Sequence, residues 1–226
     1  QKKGKIRMEK KDPRYQAYIQ ILKEELIPAM GCTEPIALAY AAAVARKTLG
    51  EMPDKVVVEA SGSIIKNVKS VIVPNTGHLK GINAAAAAGI VAGDPDKKLE
   101  VIATVSQEQI RQMKQFMEEV PIQVVHMEDG CTFDIIVTVF SGKSYAKVRI
   151  ANFHTNIVLI EKNGEVLKSE AVSDDSEEGL TDRTLLDMEH IWDFAMTADI
   201  DDVKALLDQQ MAFNVAIAEE GIKNDY

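Results

Sequence analysis

Between residues 15 and 29, apolar side chains recur at Tyr18, Ile19, Ile21, Leu22 and Leu26, close to the spacing of one helix face. Pro28 and Gly31 then end that helix. Thr33 is placed to cap a second helix, with Glu34 and Pro35 in its first turn and an alanine-rich body closed by Gly50 and Pro53. Residues 55–60, with Val56-Val57-Val58, predict a buried strand, and Val71-Ile72-Val73-Pro74 predicts another. A small-residue helix follows over 80–92, stopped by Gly93-Asp94-Pro95, and a longer amphipathic helix covers 97–119.

After Pro121 the period changes from helical to two. Residues 122–127, 133–140 and 145–151 are strands rich in β-branched side chains, the last two joined by Ser141-Gly142-Lys143. Segments 156–161 and 165–168 flank Lys162-Asn163-Gly164, where Asn-Gly signals a hairpin. Residues 171–178 form an acidic loop, and helices over 184–197 and 201–220 finish the chain, the second capped by Asp199 or Asp201. This order predicts an α+β fold: amino-terminal helices, a β-rich middle with hairpins, and carboxy-terminal helices. Residues 1–7 are basic but lead into no apolar run, so they read as a tag or variable start ahead of Met8 rather than a signal peptide.

Composition narrows the function class. The net charge of −9 is a poor electrostatic footprint for nucleic acid or anionic lipid. The apolar run 82–92 is too short for a membrane span. Two cysteines in 226 residues do not make a secreted disulfide framework. A cytoplasmic protein handling small molecules is the expectation.

Four segments could carry chemistry. Cys32 sits where a helix opens, and free backbone N–H groups there favour a thiolate, the nucleophilic and metal-ligating form; Glu34 opposes this unless it is occupied elsewhere. Ser61, Lys66 and Asn67 lie in a loop after a buried strand, where hydroxyls, a cation and an amide suit an amino-acid carboxylate. Pro74-Asn75-Thr76-Gly77-His78 is a turn lacking the glycine spacing of a phosphate loop. His154, Thr155 and Asn156 form a polar cluster between strands, suited to a small zwitterion, with His154 as an acid or base. Each segment also has a plain structural reading: an inert cysteine, solvated turns, a hydrogen-bonded histidine. Cys131, after Asp129-Gly130, reads as turn packing.

Taken in order, Gly31-Cys32-Thr33-Glu34-Pro35, Ser61…Lys66-Asn67, Val73-Pro74-Asn75-Thr76-Gly77, the alanine-rich helix and His154-Thr155-Asn156-Ile157-Val158 resemble the L-cysteine desulfidase family. That family is related to the α chain of iron–sulfur L-serine dehydratase. The resemblance implies that residues 8–226 are the amino-terminal half of such a protein, the carboxy-terminal half being absent. It implies a carbon–sulfur lyase that converts L-cysteine to pyruvate, ammonia and hydrogen sulfide with a 4Fe-4S cluster and no pyridoxal phosphate. It further implies Cys32 as a cluster ligand or, alternatively, the α-proton base, with His154 catalytic and Ser61, Lys66, Asn67, Thr155 and Asn156 around the substrate. Where family members often read Ser-Pro-Asn, this chain has Ser61-Gly62-Ser63.

A cluster generally takes three or four thiolates, and the chain has two cysteines. The isolated chain is therefore expected to hold no cluster and to be inactive without its missing half. Alternatives are L-serine deamination, a cofactor-free site using Cys32 as nucleophile and His154 as base, and a non-catalytic amino-acid-binding or subunit-interface module. Neither nucleic acid nor membrane is expected as a partner, and a homodimer is compatible.

Overall fold

The computed structural model describes residues 8–29, 31–172 and 180–224. Along the chain run α1 (Pro13–Glu25), α2 (Thr33–Leu49), β1 (Lys55–Ala60), α3 (Gly62–Val68), α4 (Gly81–Ala92) and α5 (Gln107–Glu119). There follow β2 (Ile122–His126), β3 (Asp134–Ser141), β4 (Ser144–Ala151), β5 (Ile157–Lys162), β6 (Glu165–Ser169), α6 (Met188–Thr197) and α7 (Ile200–Lys223). The expected α+β class is what the structure has. The chain forms two compact units, one made of residues 1–28 with 177–226 and the other of residues 29–176.

The larger unit is a six-stranded sheet in the order β2-β1-β3-β4-β5-β6. β1 and β2 are parallel, joined through α3, α4 and α5, and every other neighbouring pair is antiparallel. Alternate side chains of β1 (Val56, Val58, Ala60), β3 (Ile135, Val137, Val139) and β4 (Ala146, Val148, Ile150) are fully buried and join α2 and α4 in one core. The alanines of α2 and α4 allow an unusually close approach. A Cβ built on Gly89 would lie 2.0 Å from the Ala39 carbonyl oxygen, so only glycine fits. Gly50 ends α2 in the left-handed region, where a missing Cβ removes the penalty. Asn163 and Gly164 both have positive φ (51° and 85°), as a two-residue hairpin matching strand twist requires.

The smaller unit packs α1 against α6 and α7. The rings of Tyr15 and Tyr18 meet Phe194 edge-on at 5.3 and 5.4 Å. The Tyr15 hydroxyl donates to Asp202 (2.7 Å) and accepts from the Asp199 N–H (2.9 Å). Glu24 accepts from both Thr181 and Arg183.

Several expectations are corrected. α1 stops at Glu25, before Pro28 is reached. Cys32, not Thr33, is the capping residue of α2, and Thr33 is the first helical residue. Residues 71–74 make no strand: they are one arm of a tight loop, with a lone bridge from Ile72 to Lys80, because no sheet strand lies beside them. The expected long helix 97–119 is broken. A short 3-10 helix (Pro95–Glu100) comes first, and Ser106 and Gln109 then form a reciprocal capping box that starts α5. The loop expected at 61–67 is helical, being α3, with Ser61 at the N-cap position but no side-chain cap bond. Asp187 likewise starts α6 later than residue 184, after a separate 3-10 turn (Arg183–Leu185). The basic start 1–7, and most of the acidic loop 171–178, lie outside the described residues.

Candidate functional site

At the start of α2, three segments distant in sequence converge. Gly31 has φ 91°, which turns the chain so that Cys32 stands at the helix entrance with extended dihedrals. The Cys32 thiol makes no cap hydrogen bond; it donates to Glu34 Oε2 at 3.0 Å. The other oxygen of Glu34 accepts from Asn67 Nδ2 of α3 at 3.2 Å. Thr33 Oγ1 and His154 Nε2 share a hydrogen bond of 2.8 Å, and the imidazole lies against Phe133 with ring centroids 4.4 Å apart.

His154 is delivered by the β4–β5 connection. A register irregularity at Arg149/Ile150 bends the end of β4, and Asn152 follows with φ 67°. The Asn152 N–H donates to the Phe133 carbonyl, and Asn156 Nδ2 donates to the Ala151 carbonyl (3.0 Å), closing the turn. Asn156, expected beside substrate, is thus occupied with the backbone that presents His154.

Ser61 is also occupied. It is buried, and its hydroxyl donates to the Thr132 carbonyl at 2.8 Å; Ser63 donates to the same oxygen. The pair anchors the loop before β3. Lys66 is exposed on α3, and Thr155 is half-buried in the His154 turn. In the 74–78 turn, Asn75 donates to the Ile102 and Ala103 carbonyls and buried Thr76 to that of Val73, so these side chains brace the loop.

The electrostatics decide between the two opposing effects on Cys32 that the sequence presents. Partial desolvation of the sulfur, then the Glu34 carboxylate, push the Cys32 thiol above its ordinary pKa; the helix-start N–H groups do not outweigh them. Glu34 is the group stabilised as an anion, held down by the Cys32 thiol and by Asn67. Burial lowers the pKa of His154 despite the opposing charge of Glu34, so the ring is neutral at pH 7. His154 Nε2 pairs with the Thr33 hydroxyl, while the Cys32 thiol donates to Glu34. Thr33 and Phe133 are the site residues that sequence reasoning missed as participants, whereas Glu34 was already legible as the acidic residue two positions after Cys32.

Cys131 belongs to a separate network. Its thiol reaches Asp134 Oδ2 (3.3 Å) and the Phe133 carbonyl (3.4 Å), and fully buried Asp134 takes two hydrogen bonds from Arg149 (2.9 and 2.6 Å). Burial and Asp134 raise the Cys131 thiol's pKa. Among the described residues, no group of three or more His, Cys, Asp or Glu side chains is arranged to hold a metal, and no helix is long and apolar enough to cross a membrane.

Relatives of this chain share the name "UPF0597 protein". The one from Desulfitobacterium hafniense (strain Y51) is 54% identical over 219 residues, which are 97% of this chain and 51% of the relative. That from Treponema denticola is 42% identical over 214 residues (94% and 50%), and that from Lachnoclostridium phytofermentans 44% over 212 residues (94% and 51%). The chain therefore spans about half the length of the curated relatives it matches. No family model matches the chain, and no solved structure matches it.

Proposed function

We propose that this chain contributes one half of a β-eliminating amino-acid lyase that releases pyruvate, ammonia and hydrogen sulfide from L-cysteine. The observation that carries the reading is the meeting of Cys32, Glu34, Asn67 and the Thr33–His154 pair at one helix start. The same segments carry the resemblance to L-cysteine desulfidases.

β-Elimination needs a base for the α-proton and stabilisation of the departing β-substituent. A neutral imidazole is the competent form of a base, and burial keeps His154 in that form. In this reading His154 takes the α-proton at Nε2, exchanging its bond to the Thr33 hydroxyl. The electron pair forms the Cα–Cβ double bond as hydrosulfide leaves, and water hydrolyses the resulting aminoacrylate, as its imine, to pyruvate and ammonia. Lys66 and Thr155 remain for the substrate carboxylate. Ser61 and Asn156 act indirectly, through the loops they pin.

A 4Fe-4S cluster is implied by the resemblance, and this chain alone does not fit one. It has two cysteines where three or four thiolates are needed, and the Cys131 thiol is engaged with Asp134 and a backbone carbonyl. In a protein of the relatives' length, Cys32 is one ligand of a set completed outside these 226 residues, and an oxygen-labile site suits a cytoplasmic setting.

The test uses a protein of the relatives' length carrying this chain, reconstituted anaerobically and assayed for sulfide and pyruvate. Cys32→Ser and His154→Asn are each expected to abolish turnover, Cys32→Ser with loss of iron. Full iron content and full turnover in Cys32→Ser would sink the assignment. L-Serine as substrate tests the second reading, a deaminating dehydratase, because hydroxide must then leave in place of hydrosulfide.

A further inference from the structure

The last helix is apolar on the wrong number of sides. Val203 of α7 is buried and Leu207 packs on the small core of its unit, but every residue from 208 to 224 is exposed. That stretch is roughly 25 Å of helix at 1.5 Å per residue. Met211, Val215 and Ile222 continue the stripe begun by Leu207 at helical spacing, and they are 55%, 54% and 85% exposed. Phe213 and Ile217, on the opposite side of the helix, are 49% and 66% exposed. A surface helix carries one apolar face, whereas apolar stripes on opposite sides mark a helix enclosed by its surroundings. In proteins most of a helix's stability comes from packing its apolar face rather than from propensity, and nothing in its unit packs on this stretch. In the same unit, Trp192 of α6 is 68% exposed, on the side of its helix away from Phe194.

We infer that the 208–224 half of α7 is a docking surface for the polypeptide making up the other half of the relatives' length, which encloses it as an interior helix. The length outside this chain supplies the occupant: the residues matched in the Desulfitobacterium relative are 51% of that protein, so a comparable length remains. A second copy related by a two-fold axis would cover one shared patch and leave the opposite stripe in water. Further polypeptide folded around the helix covers both. The inference does not depend on the lyase chemistry proposed above.

Hydrogen exchange tests it on two proteins: this 226-residue chain alone, and the same chain joined to the unmatched half of the Desulfitobacterium relative. Peptides from 208–224 are expected to exchange almost at once in the chain alone and on the order of 100-fold more slowly in the joined protein. The emission of Trp192, the single tryptophan of the chain, serves as a second reporter and is expected to shift to the blue on joining. Val215→Asp and Ile217→Asp, one on each side of α7, should each abolish the protection while leaving unfolding of the chain alone unchanged. The intact Desulfitobacterium relative gives the same reading without a junction: its segment matching 208–224 should be protected. Equally fast exchange in the chain alone and in the intact relative overturns the inference. Protection in the chain alone, within a dimer that Ile217→Asp dissociates, also overturns it by making a second copy the occupant.

Discussion

Thr33 and His154 are 121 residues apart in the chain, yet Thr33 Oγ1 and His154 Nε2 lie 2.8 Å apart. One sits in the first turn of α2, the other on the bent connection between β4 and β5. The contact ties the helix that buries most of its surface in the core to the loop bearing a neutral imidazole.

The His154 ring should titrate below the ordinary histidine value of about 6.5, because burial disfavours the imidazolium. Glu34 opposes that shift, so Glu34→Gln should lower the midpoint further. Between the ordinary value and the lowered one, the unfolded chain binds the extra proton, so stability rises with pH across that window. An NMR titration of the imidazole protons checks both signs. A midpoint above the ordinary value, or an upward move in Glu34→Gln, contradicts the geometry.

In a Cys131→Ser background, alkylation of Cys32 should follow a thiol with a raised pKa, slow near neutral pH and faster only in alkali. Desolvation raises that pKa first and Glu34 second, so Glu34→Gln should move the pH–rate profile to lower pH without restoring an ordinary thiol. Rapid labelling of the unmutated site at pH 7 would show that the helix start dominates after all.

Gly89→Ala should destabilise the larger unit although it improves helix propensity. The propensity gain is about 1 kcal/mol and overpacking typically costs about 1–3 kcal/mol. Here the new methyl would lie 2.0 Å from the Ala39 carbonyl oxygen, a backbone atom that cannot rotate aside. The clash wins, and a urea unfolding midpoint below that of the unsubstituted chain records it.

Arg149→Met should cost about 3 kcal/mol, the low end for breaking a buried ion pair. Asp134 is then left fully buried without its partner, while Arg149 was itself partly exposed. Adding Asp134→Leu to Arg149→Met should recover much of the loss, since two apolar groups no longer bury a charge. Equal stability of the single and double variants in denaturant titrations would refute this account.

Acid should loosen the smaller unit partly through Glu24. Hydrogen bonding to Arg183 lowers its carboxyl from 4.5 to about 2. A depressed folded pKa gives stability that is complete above the unfolded value and lost as pH falls from 4.5 toward about 2. Glu24→Gln should flatten the acid limb in that range, read by the near-ultraviolet signal of the tyrosines packed on Phe194.

Legibility from sequence followed the range of the interaction. Asn163-Gly164 and Gly50 were readable because positive φ is a property of one or two residues. The strands β3, β4 and β5 were readable because a period of two persists along each. The 97–119 segment was misread because helical periodicity continues across a break that only the Ser106–Gln109 capping box marks. Ser61 and Asn156 drew notice as polar side chains next to strands, and only the fold shows that each satisfies a backbone carbonyl.

The sequence by itself determined most element types, the α+β class and the four segments worth watching, since period and turn chemistry act between near neighbours. Only the tertiary structure decided that β2 lies parallel to β1 at the sheet edge, that α1 shares one small unit with α6 and α7, and that Glu34 joins Cys32 to Asn67. Those are choices among distant partners, made by which surfaces the packed core leaves free, and no local pattern encodes them.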